Sequence, residues 1–288
     1  EMKITRGDRA FGIINGLFLI LIAAACLFPL IHVINGSFSD PLLLQSHTGL
    51  LLTPDGFTTK AYEVVFKRRD IYTGYCNTIF LVLCGTAINL VMTSCGAFLL
   101  SRQKFIPKNF LMLMVVITMY FSGGLIPTFL LYKNTYHIYN SYLALLLPGA
   151  ISSWNLIVMR TSFQGIPREL EESAYIDGAN DFVVLIRVIL PLSTATVAVM
   201  ALFYGVSHWN SWFAAMIYLK DRSKYPLQLF LREMLVLQDG AGVTTEEEML
   251  AENLKYATIV VATVPILFIY PFIQRYFVKG LTVGAVKG

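Results

Sequence analysis

Six long apolar runs, at about 11–34, 75–100, 110–132, 139–159, 187–208 and 256–274, have interiors without a single Asp, Glu, Lys or Arg. A helix that crosses a bilayer needs about 20 such residues. Lipid offers no partner to unpaired backbone groups, so runs of this kind can cross only as helices. The expected fold class is therefore an all-α membrane protein with about six transmembrane helices in one domain over residues 1–288. Composition agrees, with 56% hydrophobic and 14% charged residues, where soluble domains carry about a quarter charged.

The charges between the runs read as topology signals. With the N-terminus in the cytoplasm, the inner segments hold Lys3, Arg6 and Arg9; Arg102, Lys104 and Lys108; Arg160, Arg168 and Arg187; and Arg275, Lys279 and Lys287. The opposite side holds Lys67, Arg68, Arg69, Lys220, Arg222 and Lys224, mostly in long loops, which count less. The short 101–109 loop gives the cleanest signal, so both termini are expected on the cytoplasmic side of the membrane. Ala23-Ala24-Ala25-Cys26 after the basic start could pass for a cleaved signal. The apolar run continues through Leu30 and Val33, too long for a signal core, and an uncleaved first helix is expected.

A net charge of +4, scattered between apolar runs, does not point to nucleic acid. Cys26, Cys76, Cys84 and Cys95 lack zinc-like or C-x-x-C spacing and read as small buried side chains. His32, His47, His137 and His208 have no metal-ligand spacing, and no nucleophile motif such as G-x-S-x-G appears. Tyr132, Tyr136, Tyr139 and Tyr142, with Trp209 and Trp212, fit an interfacial aromatic belt better than a sugar platform. Asn77, Asn89, Asn155 and Asn210 fit helix–helix hydrogen bonds better than substrate contacts, so no substrate residue is assigned.

Two loops, 35–74 and 213–255, are expected outside; the second carries the acidic run Glu246-Glu247-Glu248. Gly123-Gly124 and Pro127 interrupt the third run, and Pro265 and Pro271 the sixth. Such residues kink helices, and the kinks fit either ordinary curvature or a shaped pathway.

The most informative stretch is the elbow at 167–186, between the fourth and fifth runs. Pro167-Arg168-Glu169-Leu170-Glu171-Glu172-Ser173-Ala174-Tyr175-Ile176-Asp177-Gly178 reads as a short helix. Pro167 suits its first position, the glutamates favour the positive end of the helix dipole, and Gly178 suits the C-terminal cap. Asn180 or Asp181 would then cap a second helix running into the fifth span. Leu170, Ala174 and Tyr175 would be available to a partner. Physics alone equally allows an ordinary interfacial turn.

The order Glu172-Ser173-Ala174, three residues, Gly178, nine residues, Val188, one residue, Leu190-Pro191 resembles the EAA loop of binding-protein-dependent ABC importer permeases. That loop has Ala for Ser173 and Ile for Val188, with the same spacing. The ending Gln274-Arg275-Tyr276-Phe277-Val278-Lys279-Gly280, through Lys287-Gly288, is similar to that of MalG-type carbohydrate permeases. Phe121-Ser122-Gly123-Gly124-Leu125-Ile126-Pro127-Thr128 resembles their oligosaccharide and uronate-oligosaccharide branch.

The resemblance implies a type I ABC importer transmembrane-domain fold and a permease that moves a sugar by alternating access. It also implies a homologous second permease subunit, an ATPase subunit dimer that uses ATP and Mg, and an extracytoplasmic solute-binding protein. Glu172, Ser173, Ala174, Gly178, Leu190 and Pro191 would couple to the ATPase, with Leu170, Tyr175 and Lys287 facing it. The chain itself would bind no cofactor, and its other contacts would be the sugar and membrane lipid. Two sequence features fit independently: there is no G-x-x-x-x-G-K-[ST] phosphate loop, and no ionisable group lies inside a run to carry a coupling ion. An ABC permease for another solute, a stand-alone secondary sugar carrier and a non-transporting scaffold remain as alternatives.

Overall fold

A computed structural model of the chain describes residues 6–103, 105–237, 253–268 and 271. Among them the chain is helical, and its one strand-like pairing is an isolated antiparallel bridge between Ser39 and Phe57. The helices are α1 (Arg6–Ser37), α2 (Pro41–Ser46), α3 (Lys60–Lys67), α4 (Arg69–Ser101), α5 (Lys108–Tyr120), α6 (Leu125–Leu130) and α7 (Leu143–Leu146). There follow α8 (Ser153–Gln164), α9 (Arg168–Ile176), α10 (Asp181–Val184), α11 (Leu190–Leu192), α12 (Thr194–Trp209), α13 (Trp212–Tyr218), α14 (Leu227–Leu237) and α15 (Asn253–Phe268). Two compact units emerge, Glu1–Arg69 with Glu233–Val264, and Asp70–Arg232 with Pro265–Gly288.

In the first unit, α1 carries a 27-residue apolar stretch, Phe11–Ser37, most of which the described residues leave exposed, with Gly36 and Ser37 at its end buried. Past its end the loop folds back as a small knot. Asn35 donates to the Leu51 carbonyl at 3.0 Å, Ser37 and Tyr62 share a hydrogen bond of 2.7 Å, and Phe38 stacks on Phe57. Buried Asn253, the first residue of α15, donates to the carbonyls of Gly36 at 3.1 Å and Ser39 at 2.6 Å. Gly36 lies so close to the Tyr256 ring that no side chain would fit between them.

The second unit is organised by α4, 33 residues and roughly 50 Å long. Its buried positions recur every three or four residues: Ile71, Gly74, Thr78, Leu81, Gly85, Asn89, Thr93 and Ala97. Most are small or polar, which lets helices approach closely and hydrogen-bond across the contact. Toward its C-terminal end, Ala97 and Phe98 join Leu156, Met159 and Phe163 of α8, Val184 of α10 and Met200 and Tyr204 of α12 in one buried core.

Several apolar runs fold as broken helices. Over 110–132, α5 and α6 meet at 113° across 121–124. Gly124 sits there at φ +82°, and Pro127 follows in the first turn of α6, where a missing N–H costs nothing. Over 139–159 the chain forms α7 and α8 with Pro148-Gly149 between them. Over 187–208 the helical piece Asp181–Leu192 meets α12 at 88°, so the elbow does not run straight into a span. The break falls at Ser193, two residues after Pro191, which has no donor; a wide π turn at Leu185–Ile189 precedes it. Apolarity reports burial in lipid or protein, and it does not require an unbroken helix.

The cysteines also differ from expectation. Cys26, Cys76 and Cys95 are exposed and only Cys84 is half-buried. On a helix facing lipid or another subunit an apolar thiol needs no cover from its own chain, so position in an apolar run did not imply burial here.

Candidate functional site

The elbow is built from local backbone chemistry. Pro167, with ψ of 133°, stands just before α9 as its N-cap, so Arg168 takes the first helical position assigned above to Pro167. At the far end Gly178 lies at φ +82°, a conformation that side chains disfavour. The Gly178 N–H donates to Tyr175 O and the Ala179 N–H to Ala174 O, both at 3.0 Å. This pair of reversed bonds satisfies the last carbonyls of α9 and turns the chain sharply. Asn180, of the two caps considered, starts α10 by accepting the Val183 N–H at 2.9 Å. The Tyr175 hydroxyl then donates to Asp181 at 2.6 Å, bridging the two helices. Partial burial and the Asp181 carboxylate push the Tyr175 hydroxyl up to about 12, so it stays a donor throughout the working pH range.

The side chains divide by face. Glu172 and Ser173 are exposed, as are Leu170, Tyr175 and, most of all, Ile176 at 86%. Phe182 extends this apolar surface onto α10 at 64% exposure. Ala174 is half-buried on the other side, where it packs against the buried core with Val188 and Leu190. Pro191 is exposed beside the bend. Lys287 and the ending 274–288, like Glu246-Glu247-Glu248, lie outside the described residues.

Glu171 has a place that its sequence context did not suggest. It is buried and pairs with the Arg102 guanidinium, at the end of α4. Burial lowers the Arg102 pKa from its usual value. The Arg102 Nε–H also donates to Ser101 Oγ at 3.0 Å, and the guanidinium lies 4.6 Å over the Phe98 ring. Arg168 donates to Gln103 at 2.7 Å, and Arg160 to the Leu100 carbonyl at 3.0 Å. The elbow and the basic 101–109 loop thus share one end of the unit. One sequence signal was available: adjacent residues on a helix point about 100° apart, so Glu171 and Glu172 face different directions.

Farther along α4 the unit forms an open cavity of about 1590 Å³. Val82, Thr86, Asn89 and Leu90 of α4 face Val197, Ala201 and Tyr204 through Trp209 of α12, with Tyr132 and Tyr218 also on its wall. Asn89 donates to the Gly149 carbonyl at 2.5 Å and its side-chain oxygen pairs with His208 Nε2 at 2.7 Å. Thr93 and Tyr204 share a hydrogen bond of 2.7 Å. Thr86 Oγ1 and Trp209 Nε1 are buried and have no hydrogen-bond partner among the described residues. Asn77 holds the far end, donating to the carbonyls of Ser223 at 2.8 Å and Tyr225 at 2.9 Å.

Residues 92–283 match the family described as binding-protein-dependent transport system inner membrane component. Over 286 residues the chain is 41% identical to the polygalacturonan/rhamnogalacturonan transport system permease protein YtcP of Bacillus subtilis (strain 168), covering 98% of this chain and 99% of the relative. It is 27% identical to the arabinooligosaccharides transport system permease protein AraQ of Halalkalibacterium halodurans, covering 93% of each. Among solved structures it resembles a chain of a bacterial ABC transporter involved in the import of the acidic polysaccharide alginate, at 30% identity and a TM-score of 0.87, covering 96% of this chain and all of that one. With broken helices, elbow and cavity all in place, the chain belongs to the inner membrane components of binding-protein-dependent transport systems, as an integral membrane permease with the type I ABC importer fold.

Proposed function

We propose that this chain is one of two related permease subunits of an ATP-driven importer that carries an oligosaccharide, of a uronate-containing class, across the bacterial cytoplasmic membrane. ATP and Mg are used on a separate ATPase dimer, an extracytoplasmic protein delivers the sugar, and both termini lie in the cytoplasm. The observation that carries the reading is the elbow: a sharply capped helical turn that presents Glu172, Ile176 and Phe182 outward while its other face is fixed in the core. Exposed apolar side chains beside a carboxylate suit docking into a partner's cleft. Closure of the ATPase dimer moves the docked elbow, and the packed helices switch between outward-open and inward-open arrangements. The expected spans at 11–34, 75–100, 110–132, 139–159, 187–208 and 256–274, with outer loops 35–74 and 213–255, frame that motion.

The cavity between α4 and α12 is this subunit's share of the path. The donors of Thr86 and Trp209, buried in this arrangement, would suit hydroxyl-rich cargo once helix movement uncovers them. Its wall has no Lys or Arg among the described residues, so an acidic sugar would draw its countercharge from the other subunit.

Glu172→Lys tests the reading. Reversing an exposed charge at a docking surface should leave the chain in the membrane but prevent the ATPase subunits from co-purifying, with uptake of labelled oligogalacturonate falling about a hundredfold. Normal co-purification with wild-type uptake would overturn the assignment. Calorimetry of the accompanying binding protein against oligogalacturonate and neutral oligosaccharides separates acidic from neutral cargo.

A further inference from the structure

Two routes lead from the elbow to the cavity wall, and they differ in stiffness. The covalent route runs through α10, the π turn at Leu185–Ile189 and α11, then through the 88° bend into α12. Wide turns and sharp bends are where helices yield. The other route crosses from Glu171 to Arg102 and continues into α4, an unbroken helix. From Arg102 to Asn89 on the cavity wall is about 20 Å along that helix axis.

From this we infer that the buried Arg102–Glu171 pair is the positioning contact that carries elbow motion into α4 and hence into the cavity wall. The inference rests on the elbow being the ATPase-docking element. It assigns the two adjacent glutamates different tasks: Glu172 faces outward to the partner, and Glu171 faces inward to α4.

The physical case has three parts. A buried ion pair adds little net stability compared with an apolar pair of similar size, yet loss of one member leaves an uncompensated charge. Such a pair resists separation and defines one docking geometry. Second, Arg102 is held from several sides, by Ser101 Oγ, the Phe98 carbonyl at 3.3 Å and the Phe98 ring, so it cannot simply follow Glu171 without α4. Third, Arg168 to Gln103 adds a second tie between α9 and the segment just past α4, which opposes rotation about the first. Every group in this chain of contacts belongs to the second unit.

The test uses the whole transporter with a reporter that needs no knowledge of the cargo. Ala87 lines the cavity on α4, and Ala87→Cys is placed in a chain whose four native cysteines are replaced by serine. Maleimide labelling rates are compared in the nucleotide-free complex and in the complex trapped with ATP and vanadate. With Arg102 and Glu171 present, trapping should change the rate. In Glu171→Gln the ATPase should still co-purify, but the response to trapping should shrink about tenfold, within the usual range of coupling between sites. The exchanged pair R102E/E171R should restore the response, which a merely structural role would not require.

A full response in Glu171→Gln, or no response in the parent, overturns the inference. If Glu171→Gln fails to assemble, the apolar pair R102M/E171L keeps the packing without the charges. A full response there, or failure of all these variants to assemble, also overturns it. Glu172→Lys in the same background keeps the two readings apart: normal ATPase co-purification there defeats the docking assignment, while the response of Glu171→Gln decides the positioning role.

Discussion

The elbow and the cavity wall belong to the same unit but are held in opposite ways. The elbow's turn is shaped by short-range bonds, Ala179 to Ala174, Asn180 to Val183 and Tyr175 to Asp181 six positions away. The cavity wall is held by bonds between residues far apart in the chain, 60 positions for Asn89 and Gly149, 111 for Thr93 and Tyr204, and 119 for Asn89 and His208. A turn made of local bonds keeps its shape wherever it is carried. A wall made of distant bonds exists only while several helices stay in register. That division predicts different sensitivities to substitution.

The largest effect is expected at Gly85. A Cβ there would lie 2.7 Å from His208 Cδ2 and closer still to its Nε2 and Cε1. Gly85→Ala should cost about 2 kcal/mol or more through overpacking, seen as a lower melting temperature of the detergent-purified chain. Gly205→Ala, whose new atom would meet Thr86 Oγ1 at an ordinary 3.7 Å, is the control and should be neutral or mildly stabilising. If both behave alike, the α4–α12 contact is not the rigid one described.

Asn89→Leu comes next. It leaves His208 and the Gly149 carbonyl without their partner, at a cost of about 1–3 kcal/mol in the same melting assay. An unchanged melting temperature would show that the wall does not depend on its long-range polar bonds. The smallest effect belongs to the elbow. Asn180→Ala removes one cap and should cost about 1 kcal/mol locally, read as faster amide exchange at Val183 with the melting temperature nearly unchanged. A drop as large as that of Asn89→Leu would erase the distinction between the two regions.

The same contrast explains what could be read from the sequence. Gly178, Asn180 and the glutamates of α9 signal a capped turn because caps act over three or four residues, and that turn is present. Apolar runs signal membrane helices for a similarly general reason, although Gly124 and Ser193 break two of them where the chain folds back. Asn89 was legible as a helix-to-helix donor, but nothing local named Gly149 or His208 as its partners. Ala174, expected to be available to a partner, is half-buried against the core, while Ile176 two positions on is exposed. Glu171 was hidden for the same reason as Asn89: its partner is 69 positions away, and only the fold brings them together.

The wide turn at Leu185–Ile189 has a bearing on chain length. It holds one residue more than an ordinary helical turn, and each residue of an α-helix is worth about 100° of rotation. The nine positions between Gly178 and Val188 therefore set an angle as well as a distance. Deleting one of them within α10 would swing Ile176 and the capped turn about 100° around the helix axis relative to α12. Among chains of this kind, a gap in this segment is a change of aim, whereas a gap of the same size in an outer loop changes only reach.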